Sequence, residues 1–401
     1  MDKKTIIVYR WNSYSEPALI EAMKKLGIDV VFFDKRLRDF HADAMFAAVF
    51  MNWIHHHKAE AVFSFDYFPL ISSICEVNKI PYLAWIYDCP MYTLMSPTLS
   101  NSFNYIFCFD EAYAVRLQQE GAKNCFHFPL GVAVERMEQI IGQADEEERS
   151  KFRSDISFVG KFYNGSENHY RKVVFEEYTR GWLEGLIEAQ RKIYGYNFVR
   201  ASLPQKIIEE IIEKCEIRLG KMYCDAPAYL AADVVNIEIA AREREDTVAL
   251  AAEERPVALY TPPDFPEKLA ANPNILNKGY VNNATQMPLV FHESRINLNV
   301  TSRTIETGIP QRVLDILACG GFCLTAYQPE IDVFFKDGQE LVMYTDGEDF
   351  LGKLRYFLEH EQERCQIAQR GKKAVRERFS LKDRVKEMLE VVGILGREKT
   401  I

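Results

Sequence analysis

The segment Arg295-Ile-Asn-Leu-Asn-Val-Thr-Ser-Arg303 runs through a short loop into Thr307-Gly-Ile-Pro-Gln-Arg-Val-Leu-Asp-Ile-Leu-Ala-Cys-Gly-Gly321. Its first part predicts a strand, Ile296–Val300, and its second a helix, Pro310–Ala318, since the spacing changes from that of a strand to that of a helix. A further apolar run, Phe322–Thr325, follows at once and reads as another strand. Strand, helix and strand in so short a span imply parallel pairing through a right-handed crossover.

The same rhythm extends outward in both directions. Asp155–Val159 and Val257–Tyr260 read as strands before the segment, and Leu341–Tyr344 after it, with the last ~55 residues helical. Between them, 170–254 reads as a helical insertion. The first ~130 residues repeat the pattern: strands at Thr5–Tyr9, Asp29–Phe33, Ala61–Phe65, Tyr82–Tyr87, Tyr105–Phe109 and Cys125–Phe128. The helices among them include Pro17–Leu26 and a longer one from Asp39 to His57. Gln143-Ala-Asp-Glu-Glu-Glu-Arg-Ser-Lys151 interrupts the apolar pattern and marks a boundary. The expected organisation is α/β throughout: a doubly wound domain over 1–150, a second over 151–380, and a terminal helix over 381–401. A cleft between the two domains is expected.

Composition bounds the chemistry. The chain has 401 residues, enough for two domains of ordinary size, and 48% of them are hydrophobic. Lys and Arg number 49 against 58 Asp and Glu, a net charge of −9, which speaks against a broad basic surface for nucleic acid. No apolar run approaches the ~20 residues of a membrane span. The nine cysteines are scattered without a CxxC pair, unlike a disulfide framework or a zinc ribbon. A reduced, cytoplasmic protein is expected. The chain has no GxxxxGK[ST], GxSxG or HExxH.

In open α/β sheets, ligands gather beyond the carboxyl ends of the strands, where loops and helix N-termini converge. Asp66, Asp88 and Asp110 each stand at such an end in the first half. Asp110 precedes a helical run and reads as its N-cap. Asp88 is followed by Cys89-Pro90 and has no helix to cap at once, so it is the candidate for a chemical role. His127 ends the last strand of this half. In the second half, Phe158-Val-Gly-Lys-Phe-Tyr163 places Gly160 and Lys161 at a strand end. Arg303, Gly308, Arg312 and Asp315 follow in the opening segment, where the free N–H groups of the helix start offer an anion site. Arg312 suits a phosphate, and Asp315, one turn on, suits a ribose diol; an ordinary Arg–Asp surface pair is the alternative. His55, His56 and His57 point about 100° apart on a helix and do not converge on a metal.

Ala84-Trp-Ile-Tyr-Asp-Cys-Pro90, Phe107-Cys-Phe-Asp110, Phe128-Pro-Leu-Gly131, Phe158-Val-Gly-Lys161 and Gln311-Arg-Val-Leu-Asp-Ile-Leu-Ala-Cys-Gly-Gly321 resemble the bacterial spore-maturation-type glycosyltransferases, within the broader GT-B class. The resemblance runs from about Ala61 to Arg384. It implies two Rossmann-like domains, with a nucleotide-sugar donor, UDP-linked by preference, on the second and a protein or surface-glycan acceptor on the first. It also implies metal-independent transfer of a hexose, with no cofactor beyond the donor. Asp315 falls at the family's ribose-binding acidic position, and Lys161 and Arg312 fall in the diphosphate-holding segments. Many retaining relatives carry two glutamates eight positions apart. Here Thr307 stands eight residues before Asp315, with Glu306 adjacent, so retention of configuration does not follow. An inverting reaction needs a base, for which Asp88 comes first, then His127 or Asp66. An epimerase on the same scaffold and a non-catalytic binding protein are the rival readings.

Overall fold

The computed structural model describes residues 4–11, 13, 15–217, 227–263 and 265–396. Cys224 lies outside them. Among the described residues the chain forms two compact units. One takes the residues up to Ala133 and from Phe379 onward; the other takes Val134 to Arg378.

The first unit is built on six parallel strands: β1 (Thr5–Tyr9), β2 (Asp29–Phe33), β3 (Ala61–Phe65), β4 (Tyr82–Ile86), β5 (Asn104–Cys108) and β6 (Cys125–His127). They lie in the order β2-β1-β3-β4-β5-β6. Every residue of β3 and β4 is buried, as continuous apolar strands must be when helices cover both faces of a parallel sheet. The helix Ala44–His57 starts later than Asp39 because Asp43 caps it, accepting from the Phe46 amide at 2.9 Å. The C-terminal helix Leu381–Val391 belongs to this unit and packs on the helix Glu16–Lys25.

The second unit also carries six parallel strands: β7 (Ser154–Val159), β8 (Val257–Tyr260), β9 (Ile275–Asn277), β10 (Ser294–Asn299), β11 (Cys323–Ala326) and β12 (Val342–Tyr344). Their order is β12-β11-β10-β7-β8-β9. The short strand β9 has no counterpart in the sequence reading. The charged run falls within this unit, where its core is the exposed helix Glu146–Ser150, capped by Asp145.

Within 170–254, the helices Glu177–Arg191 and Gln205–Lys214 and the first half of Pro227–Glu254 enclose an apolar cluster of their own, including Leu183, Ile187, Ile211 and Val235. The helix Gln311–Ala318 starts one residue later than expected, with Pro310 as its N-cap. Its end explains the Cys-Gly-Gly sequence. Gly320, at φ +73°, donates to Leu317 O (2.9 Å) and Gly321 to Ile316 O (3.0 Å), the Schellman pattern that needs a left-handed residue after the cap. A Cβ on Gly321 would stand 2.5 Å from Phe291 O, so no larger residue fits there.

Among the described residues, no helix is long and apolar enough to cross a membrane. Most of the described cysteines are buried; Cys365 is exposed.

Candidate active site

The second sheet has one place where the winding reverses. From β7 the chain steps to β8 and β9 on one side, whereas β10, β11 and β12 extend from the other side of β7. The loops after β7 and β10 therefore leave in opposite directions and open a crevice between them, the usual ligand position in such sheets. Gly160 and Lys161 follow β7, and Val300 to Arg303 follow β10. Gly160, Lys161 and Arg303 thus follow the two strands that meet at one topological switch point.

A residue that the sequence reading passed over ties the two loop ends together. Arg244, on the long helix Pro227–Glu254, donates through Nη1 to Lys161 O (2.6 Å), and through Nε (3.2 Å) and Nη2 (3.0 Å) to Val300 O. Its guanidinium lies 4.4 Å from the ring centre of Tyr163. Arg244 sits in the charged run Arg242-Glu-Arg-Glu-Asp246, which reads as a solvated stretch of helix. In the fold, however, Arg242 pairs with Glu184 and Glu238, Glu243 with Arg303, Glu245 with Arg171 and Lys268, and Asp246 with Arg191. Among the described residues, Arg244 alone of the five meets carbonyls and aromatic rings but no carboxylate within ion-pair distance.

Gly160 continues the ladder, donating to Tyr260 O at 3.1 Å, and the Lys161 side chain is exposed. Arg303 is taken up internally: its fork meets Glu243 at 2.6–3.0 Å, Nη1 donates to Ile193 O, and the cation lies over Tyr194. Gly308 is buried in the loop before the helix, where Thr307 is fastened to Glu330 by Oγ1→Oε1 (2.8 Å) and by a backbone bond.

Asp315 is 3% exposed, and its Oδ1 accepts from Gln311 Nε2 at 2.9 Å. Arg312 stands 3.9 Å from its Oδ2, touches Met287 Sδ and lies over Phe291. Burial pushes the Asp315 carboxyl up, against the pull of Arg312 and Gln311. The pair exists, but it is a buried and loosely spaced one.

In the first unit Asp66, Asp88, Asp110 and His127 close the neighbouring strands β3, β4, β5 and β6, and so line the carboxyl edge of one sheet. Asp110 caps the helix Glu111–Gln119, accepting from the Tyr113 amide at 2.9 Å. His127 is half-buried at the end of the shortest of these strands. Asp88 is exposed, whereas Asp66 is only 1% exposed.

Asp66 takes the left-handed conformation, φ +57°, which Asp and Asn tolerate better than most residues. Its Oδ1 accepts from two successive amides, Tyr87 (2.9 Å) and Asp88 (3.1 Å). Asp66 therefore shapes the turn from which Asp88 projects. Burial, and then the neighbouring Asp88 carboxylate, push its carboxyl up to about 7 against these two bonds. The His55–His57 run closes the helix Ala44–His57; among the described residues no three His, Cys, Asp or Glu side chains are grouped to hold a metal.

Comparison with known proteins adds to this geometry. Residues 242–390 match the family model described as glycosyl transferase-like. An uncharacterized protein of Aquifex aeolicus (strain VF5) is 32% identical over 121 residues, covering 29% of this chain and 30% of that relative's length. Among solved structures, Anabaena HepE in complex with UDP and glucose superposes with a TM-score of 0.51 at 10% identity, over 98% of this chain and 100% of that one. Sucrose-phosphate synthase from Thermosynechococcus elongatus gives 0.52 at 9% identity, over 98% and 99%. At such identities the likeness is one of fold, and that fold is GT-B. The chain thus has the GT-B fold, and its residues 242–390 are similar to the glycosyl transferase-like family.

Proposed function

We propose that the chain transfers a hexose from a UDP-sugar to a protein or surface-glycan acceptor, and that the donor diphosphate lies at the switch point of the second sheet. The observation that carries this reading is Arg244, a cation without a carboxylate partner held over the ends of β7 and β10. The Anabaena relative, whose complex contains UDP and glucose, supports the choice of donor class.

In the reaction the bond between the sugar's anomeric carbon and the diphosphate oxygen breaks, and a bond to an acceptor oxygen forms. The departing charge is met by Arg244, by Lys161 and by the N-terminus of the helix Gln311–Ala318, without a divalent cation. Asp315 accepts hydrogen bonds from the ribose hydroxyls, which displace the Gln311 amide. Asp88 takes the acceptor's proton. Arg303 supports the loop through Glu243 and contacts the donor only through that support.

Asp315→Ala tests the donor half of the reading. Loss of hydrogen bonds to a charged group costs roughly 1.5–3 kcal/mol, or about tenfold to a hundredfold in UDP affinity by calorimetry. Unchanged affinity in a folded variant removes Asp315 from the donor site.

A further inference from the structure

The first sheet has a switch point of its own, and nothing above assigns it. The chain passes from β1 out to β2 at the edge and then returns to β3 on the other side of β1, so a crevice opens beyond the ends of β1 and β3. A cavity of about 570 Å³ lies there, lined by Tyr9, Trp11, Asp34, Arg36, Phe40 and Phe68 among others. Small-molecule sites are typically of about 300–1,000 Å³.

Its walls have two chemical characters. Trp11 is 40% exposed and Phe40 42%, yet both are fixed: Trp11 Nε1 donates to Phe65 O at 2.9 Å, and both rings meet the edge of Phe68. Exposed but immobilised rings suit the C–H face of a sugar. Two arginines stand beside them. Arg10 is engaged by Glu16 at 2.5 Å and lies over Phe32. Arg36 is exposed and, among the described residues, has neither a hydrogen-bond nor an ion-pair partner. Asp34, also exposed, offers an acceptor for hydroxyls.

We propose that this cavity is a subsite for an anionic saccharide, whose ring lies on Trp11 and Phe40 and whose carboxylate or phosphate meets Arg36. The assignment rests on the glycosyl-transfer reading, since that makes a saccharide the ligand of the first unit, and it narrows the acceptor to an acidic one.

Saturation-transfer NMR with D-glucuronate, D-glucose 6-phosphate and D-glucose tests it on the whole chain, with a UDP titration of each sample alongside. At least one of the two anionic sugars is expected to bind tenfold or more tightly than glucose, and which one does so identifies the acid group. Arg36→Gln, at an exposed and unbonded position, is expected to remove that advantage, and Phe40→Ala to weaken all three sugars, with UDP affinity unchanged. Equal signals for all three sugars, or an advantage that survives Arg36→Gln, overturn the proposal while normal UDP binding leaves the donor reading standing. Loss of UDP binding in the unaltered chain overturns both.

Discussion

Asp88→Asn is expected to slow glycosyl transfer by roughly 10²–10⁴ while donor affinity stays within a few fold. Asparagine keeps the size of the side chain and one acceptor oxygen, and removes its charge and its ability to take a proton. Asp88 is anchored through its backbone N–H, which donates to Asp66, and that bond does not depend on the carboxylate being replaced. If Asp88 were only a turn residue, asparagine would serve as well, since both support such turns. Kinetics and UDP titration on one purified variant decide between these. A near-normal rate excludes Asp88 as the base and turns attention to His127.

Asp66→Asn is expected to change the pH dependence of stability. The carboxyl of Asp66 goes from 3.8 in an exposed chain to about 7 in the fold. The folded state thus binds the proton more tightly, and the group's contribution is fully present below pH ~4. It is lost as pH rises through ~7, and the difference amounts to about 4 kcal/mol at most. Asparagine retains a carbonyl for the Tyr87 and Asp88 amides and accepts a left-handed backbone. The variant is therefore expected to match the unaltered protein below pH ~4 and exceed it increasingly up to pH 8, when urea midpoints are compared across that range. Parallel pH curves for the two proteins would contradict a buried, proton-holding Asp66.

The strands of both sheets were legible because each is a short β-branched or aromatic run bounded by turn residues. Strand β9 was not: Ile275-Leu-Asn277 is three residues long and sits among asparagines, where only its pairing with β8 makes it a strand. The return of Leu381–Val391 to the first unit is a tertiary fact, because its apolar face fits either unit as well by pattern alone. The same holds in the site. Gly160, Lys161, Arg312 and Asp315 stood out because strand ends and helix starts carry local signals. Arg244 did not, since it stands in an unbroken charged run with 242, 243, 245 and 246, and only their separate partners leave it distinct. Arg303 shows the converse. Its position after β10 suggested a donor contact, but the buried Glu243 opposite it comes from 60 residues away along the chain.

The central claim is glycosyl transfer from a nucleotide sugar with protein cations carrying the leaving-group charge, and its most direct measurement is UDP release from UDP-glucose, with and without excess EDTA. Release above the uncatalysed rate is expected, unchanged by the chelator and lowered in Arg244→Gln. No release from UDP-glucose, or release that collapses in EDTA and returns with Mg²⁺ or Mn²⁺, would contradict the account.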